Sequence, residues 1–191
     1  MQKNENPVVL SLVLLVISVA VALLLAFTNM VTKDKIAENT LLEQNAAKQE
    51  VLSDATYFTE VENAEKPDMV KALFEGKDNT GNVVGWCVSV SPYGYGGELD
   101  LMVGILPDGI VSGMKVVSHS ETAGLGAKAS EPEFSNKFKE KPADGNLAVI
   151  KSGEPKENEI VALSGATITS KAVTKGVNAA AEAVALLKGG A

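Results

Sequence analysis

Glu98 to Ser118 reads ELDLMVGILPDGIVSGMKVVS, two runs rich in apolar residues on either side of Pro107-Asp108-Gly109. Proline presets the backbone angle at which a turn begins, and glycine accepts the positive φ on which one ends, so the triplet suits a tight reversal. Glu98–Leu106 and Ile110–Ser118 therefore predict two antiparallel strands joined by a hairpin.

The neighbours of this hairpin extend the sheet. Asn82 to Ser91, NVVGWCVSVS, alternates as a half-buried strand does, with Cys87 facing the same way as Val83 and Gly85. Lys77 to Asn82, KDNTGN, is a turn cluster, Met69–Phe74 is a further strand candidate, and the β-rich texture starts near Tyr57. Downstream, Phe134 and Phe138 in PEFSNKFKEK have the i,i+4 spacing of a helix, and Leu147–Ile150 is expected to return to the sheet. From Ser170 to Leu187, Val173, Val177, Ala180, Ala181, Val184 and Leu187 share one helical face, with Gly189-Gly190 as a stop. The class is α+β, an antiparallel sheet with flanking helices.

The amino-terminal part differs in kind. Val8 to Phe27, VVLSLVLLVISVAVALLLAF, is interrupted only by Ser11 and Ser18. At about 1.5 Å per residue it reaches roughly 30 Å, the hydrocarbon thickness of a bilayer. A cleaved secretory signal has an apolar region of only about 7 to 15 residues and a small-residue cleavage site, so a retained anchor is the expectation. Lys3 lies on one flank and Lys33 and Lys35 on the other, so charge does not set the orientation. Asn29–Asp54 is polar with apolar residues at intervals and reads as a helix leaving the bilayer. The expected organisation is a tail and transmembrane anchor over 1–28, a helical stalk and domain entry over 29–56, and a folded domain over 57–191.

Composition excludes several classes of chemistry. A net charge of -7 and a sequence pI near 4.8 argue against a nucleic-acid partner, which requires a basic face. Cys87 is the one cysteine and His119 the one histidine. The chain by itself therefore offers no disulfide, no cysteine-ligated iron–sulfur cluster and none of the usual zinc ligand sets. Cys87 is expected to be a small buried hydrophobe. His119 has no evident nucleophile beside it and stays unassigned.

Three glycine-rich stretches remain: YGYGG (Tyr93–Gly97), ETAGLG (Glu121–Gly126) and SGATITS (Ser164–Ser170). The first two read as ordinary turns or as places where backbone amides approach a flat or anionic ligand. The third feeds the last helix, where unpaired N–H groups and the positive end of the helix dipole favour a phosphate. That field contributes only about 0.3–1 kcal/mol when exposed and roughly 2 when partly buried, enough to orient a phosphate but not to retain a cofactor. An ester to a hydroxyl would retain it, and Thr167 is best placed, with Gly165 and Ala166 leaving room. The other reading is that Ser164, Thr167 or Thr169 caps the helix.

SGATITS resembles the flavinylation motif of the FMN-binding domain family, in which the threonine of S-G-A-T is joined to FMN through a phosphoester. HSETAGLG, His119–Gly126, resembles that family's second signature, with Ala123 where proline is usual. With the single anchor, the length and YGYGG before a strand, the chain is similar to the G-subunit family of the Rnf complex, an ion-translocating assembly that typically passes electrons between ferredoxin and NAD.

The resemblance implies covalent FMN on Thr167, with Ser164, Gly165 and Ala166 shaping the phosphate end and Ile168 and Thr169 beside them. Glu121, Thr122, Leu125 and Gly126 would lie against the flavin. Tyr95 is either a ring face for the isoalloxazine or a sheet-packing aromatic. It further implies an electron-transfer component of a redox-driven translocase, incomplete as an enzyme alone. Its partners would be the other Rnf subunits and a separate flavin transferase, with the N-terminus cytoplasmic and the flavin domain on the periplasmic or extracellular side. The family often has aspartate six residues before the modified threonine; here that position is Val161, with Glu159 the nearest acid. The C-subunit of the sodium-pumping NADH:quinone oxidoreductase shares the flavinylated domain and is the nearest alternative; a membrane-tethered binding module without redox chemistry is the other.

Overall fold

The computed structural model describes residues 7–62, 66–144 and 146–189. The chain divides into two units, Met1–Leu42 and Glu43–Ala191. Helix α1 runs over Pro7–Val51, and its part in the first unit carries a window of mean hydropathy 3.2 with no residue buried against protein, long and apolar enough to cross a membrane. Within it the hydroxyls of Ser11, Thr28, Thr32 and Thr40 each donate to the carbonyl four residues earlier. Their polarity is thus satisfied inside the helix.

The second unit is built on a five-stranded antiparallel meander: β1 (Tyr57–Glu60), β2 (Val70–Lys77), β3 (Val83–Val90), β4 (Leu99–Ile105) and β5 (Val111–His119), in sequence order across the sheet. The β4–β5 hairpin turns at Pro107–Gly109, where Gly109 has φ +83° and its N–H donates to the Leu106 carbonyl. The KDNTGN turn is held by Asp78, whose Oδ1 accepts from the amides of Thr80 and Asn82.

Alternation divides β4 between two cores. Leu99, Leu101, Val103 and Ile105 point to the face covered by the last helix, α3 (Thr167–Gly189), where Val173, Val177, Ala180 and Val184 are buried. Met102 points the other way, with Cys87, onto Ala47, Val51, Leu52 and Ala55 at and just beyond the end of α1. The sheet is therefore covered on both faces. Burying each such aliphatic side chain contributes about 1.5–3 kcal/mol.

Small residues let the covering segments approach. Gly76 and Gly85 face each other across β2 and β3, and Leu52 lies over both: a Cβ would come 2.5 Å and 2.9 Å from its methyls. On β4, a Cβ at Gly104 would collide with the Val51 carbonyl, to which the Ser112 hydroxyl donates.

Cys87 lies in this second core and is fully buried; burial pushes its thiol up to about 12. Only the thiolate attacks a maleimide. The folded protein at pH 8 should therefore leave Cys87 unlabelled by a maleimide over an hour, and unfolding in guanidinium should expose it. Stoichiometric labelling of the folded chain by mass would contradict this packing.

Three expectations are corrected. Leu147–Ile150 does not return to the sheet: β6 (Ala148–Ile150) pairs in parallel with β7 (Glu159–Val161) as a separate two-stranded sheet. The outer edge of β5 is already taken near the hairpin, where Val111 exchanges hydrogen bonds with Glu140 and Lys141, and Ile110 bridges to Pro142. Phe134 and Phe138 do not share an α-helix. Helix α2 (Pro132–Ser135) gives way to a 3-10 turn over Asn136–Phe138, yet the rings still meet edge to face at 5.4 Å. Finally, α3 begins at Thr167 and not Ser170, so Thr167 is the first helical residue and not part of the loop that feeds the helix.

Candidate functional site

The three glycine-rich stretches, far apart in sequence, meet at one end of the meander, where β3 leads into β4, β5 ends and α3 begins. They enclose a pocket of about 640 Å³, within the range of roughly 300–1,000 Å³ usual for small-molecule sites. Tyr95 comes from the first stretch, Glu121, Thr122, Leu125 and Gly126 from the second, and Gly165, Ala166, Thr167, Ile168 and Thr169 from the third. Of the residues singled out from the sequence only Ser164 lies outside the lining; it is exposed in the turn before it.

The turn before α3 is shaped by glycine and locked by serine. Gly165 has φ +75°, a conformation that side chains rarely adopt, and a Cβ there would press on Leu125 at 3.0 Å. Ser170 is fully buried; its hydroxyl donates to the Ala166 carbonyl at 2.9 Å and accepts from the Leu163 amide at 2.9 Å. From the sequence Ser170 reads only as the start of the last helix; its reach of seven residues backward to Leu163 leaves no periodic signal.

The hydroxyls of this segment are not equivalent. Ser170 is occupied as described, and Thr169, buried, donates to Glu121 Oε2 at 2.8 Å. Thr167 is half-buried, lines the pocket and has no hydrogen-bond partner among the described residues. The amides of Thr167, Ile168 and Thr169, being the first of the helix, likewise have no acceptor among them. Neither Thr167 nor Thr169 caps the helix with its side chain. At the start of α3 the site thus offers one free hydroxyl, that of Thr167, beside three free N–H donors, with Leu125 and Ile168, both substantially exposed, and the Tyr95 ring as apolar walls. A phosphate monoester attached to a flat aromatic group fits this donor set, the N–H groups facing the anion and the walls facing the ring.

His119 ends β5 outside the pocket lining, where its Nδ1 accepts from the Glu121 amide at 3.2 Å. Ala123 sits in an exposed turn in which the Leu125 and Ala127 amides donate to the Thr122 carbonyl at 3.2 Å. Val161 ends β7, where its carbonyl accepts from Lys137 Nζ at 3.3 Å, while Glu159 is engaged with the Lys156 amide at 3.0 Å. Neither side chain reaches the pocket lining.

The fold and this pocket define an FMN-binding domain: the family model so described matches residues 94–182, and the RnfG N-terminal region matches residues 8–51. The G-subunit of the Na(+)-translocating ferredoxin:NAD(+) oxidoreductase complex of Acetobacterium woodii is 43% identical over 88% of this chain and 87% of its own. The G-subunit of the proton-translocating ferredoxin:NAD(+) oxidoreductase complex of Clostridium ljungdahlii is 39% identical over 88% and 86%. The chain belongs to the RnfG family, the G-subunits of ion-translocating oxidoreductase complexes. Among solved structures, the C-subunit of the Na(+)-translocating NADH-quinone reductase of Parabacteroides distasonis superposes with a TM-score of 0.51 at 29% identity, over 61% of this chain and 62% of that one. NqrC of Shewanella oneidensis gives 0.50 at 23% identity, over 67% and 66%. The chain spans less than two thirds of either structure, and the second likeness concerns the fold alone.

Proposed function

We propose that this chain is the membrane-anchored flavin carrier of a redox-driven ion translocase of the ferredoxin:NAD oxidoreductase type, with FMN held by a phosphoester to Thr167. The observation that carries the reading is the unpartnered Thr167 hydroxyl, on the first residue of α3 and in the wall of a pocket of flavin size. Full-length relatedness to G-subunit proteins supports this assembly over the NADH:quinone one, since the match includes the amino-terminal region at 8–51.

In this reading each residue has a physical task. Thr167 Oγ1 carries the ester, and the amides of Thr167, Ile168 and Thr169 donate to the phosphate. Gly165 and Ala166 keep side chains away from it, and Ser164 borders it from the turn. Leu125 and Ile168 exclude water from one side of the ring system, and Tyr95 supplies an aromatic face. Thr122, Gly126 and Glu121 complete the wall. Bound FMN supplies reversible one- and two-electron redox chemistry; the chain supplies its position and environment.

Residues 1–28 form the tail and anchor, 29–56 the connection and 57–191 the flavin domain, with the N-terminus in the cytoplasm and the domain on the periplasmic or extracellular side. A separate flavin transferase attaches FMN there from a donor that carries the FMN phosphate in an anhydride. The Thr167 Oγ1–P bond forms as the anhydride P–O bond breaks, and the hydroxyl proton and the remaining half of the donor leave. The other members of the complex are the chain's redox partners. The names of the two relatives differ in the ion moved, sodium in one and proton in the other, so family membership does not set the ion.

Two measurements test this. The full chain expressed with a flavin transferase should give a fluorescent band after denaturing electrophoresis, and without the transferase none; a colourless chain beside an active transferase would sink the reading and favour a plain binding module. Protease added outside intact spheroplasts should digest the domain, and full protection would reverse the proposed topology.

A further inference from the structure

Glu121 is a carboxylate in an unusual place: it is 9% exposed, and among the described residues no cation pairs with it. Its oxygens instead join three separate segments. Oε1 accepts from the Tyr95 amide at 2.7 Å and the Gly96 amide at 3.1 Å, and Oε2 accepts from the Thr169 hydroxyl at 2.8 Å. The surroundings leave just enough room for it. A Cβ on Gly94 or Gly126 would collide with its carboxylate oxygens, and one on Gly96 with the Ser120 carbonyl beside it. Gly94 and Gly126 are thus accounted for by the volume of one side chain.

The consequence for Thr167 is indirect. Thr169, once donating to Glu121, cannot turn its hydroxyl to the pocket, and its fixed side chain sets the rotation of the first turn of α3. Through Tyr95 and Gly96 the same carboxylate holds the YGYGG loop, which carries the strongly exposed rings of Tyr93 and Tyr95. We propose that Glu121 is the positioning residue of the attachment site: its hydrogen bonds bind the three walls together and, by engaging Thr169, leave Thr167 as the free hydroxyl on the first turn of α3. This rests on attachment at Thr167 and gives Glu121 a task besides lining the pocket.

Geometry and charge can be separated by two variants. In Glu121→Gln the amide oxygen still accepts from Tyr95 and Gly96, and the amide nitrogen donates to the Thr169 hydroxyl, which rotates to accept. In Glu121→Asp the charge stays, but the side chain is one methylene too short to span from the loop amides to Thr169. The experiment uses the full chain in membranes with a flavin transferase. It measures covalent flavin per chain by intact mass at short fixed times, with abundance and melting temperature matched against the wild type.

Because misplacing a reacting group by about 1 Å costs up to about a hundredfold in rate, Glu121→Asp should load about tenfold or more slowly, and Glu121→Gln within about threefold of wild type. Hydrogen exchange at the Tyr95 and Gly96 amides should quicken in the aspartate variant alone. Equal loading of both variants, equal loss in both, or loss in glutamine alone would each overturn the proposal, the last pointing to a charge that touches the substrate directly. Thr167→Ala in the same series guards the premise: if it loads like wild type, the attachment reading fails and not this one.

Discussion

Thr167→Ala is expected to abolish covalent flavin, taking the chain from one FMN to none, with almost no effect on stability. The two halves of that expectation have different causes. The threonine hydroxyl has no hydrogen-bond partner among the described residues and is only half-buried, so its removal breaks no hydrogen bond. Substitutions of that kind usually change stability by less than about 0.5 kcal/mol. Alanine is also the better helix former, which favours the first turn of α3 slightly. Chemistry, by contrast, has no substitute within this segment: Ser164 stands outside the pocket, Ser170 is buried in the turn lock, and Thr169 is engaged with Glu121. Thr167→Ser should therefore load, and Thr167→Ala should stay dark in a denaturing gel with an unchanged melting temperature.

The second large effect belongs to the opposite end of the domain. Leu52→Ala should destabilise the folded unit by about 2–5 kcal/mol, the usual cost of emptying a buried leucine site. Leu52 is 2% exposed and rests on Gly76 and Gly85, which have no side chains to fill the space left behind. Against a total of about 5–15 kcal/mol the loss is severe. At about 2–4 °C per kcal/mol for a chain of this size, the melting temperature should drop by about 4–20 °C. Gly76→Ala should also destabilise, through collision with Leu52, and the double variant should lose less than the sum because the alanine methyl then enters the vacated space. Additive losses in full-length protein in detergent would contradict the account of that groove.

How far the sequence alone reaches can be judged from these same residues. The meander was legible because each strand alternates and each turn carries its own chemistry: Gly109 has the positive φ that a reversal uses, and Asp78 folds back onto the amides of its turn. The long helices were legible because apolar residues repeat over many turns, an abundance of signal that a short segment lacks. Leu147–Ile150 illustrates the lack. Three or four apolar residues specify a strand but not its partner, and its exclusion from the meander depends on Glu140 and Lys141 having already occupied the β5 edge.

At the site, the glycines and the small residues before α3 announced close approach, and Thr167 followed from its place beside the helix start together with the family resemblance. The boundary slipped by three residues because Thr167, Ile168 and Thr169 are two threonines and a branched aliphatic, poor in helix propensity, and the turn is held instead by Ser170 reaching back to Leu163. The role of Glu121 was hidden for a different reason. Its partners are backbone amides 25 and 26 residues earlier and a hydroxyl 48 residues later, and a backbone amide has no side-chain letter by which a sequence could reveal it.

The measurement that tests the central claim most directly is peptide sequencing by tandem mass spectrometry of the full chain, isolated from membranes containing an active flavin transferase and digested after denaturation. The account predicts a single modified peptide spanning Leu163–Lys171, carrying one FMN less one water, with fragment ions that assign the added mass to Thr167. The same mass on Ser164 or Thr169, or an unmodified peptide from a preparation in which a control acceptor is fully loaded, would contradict it.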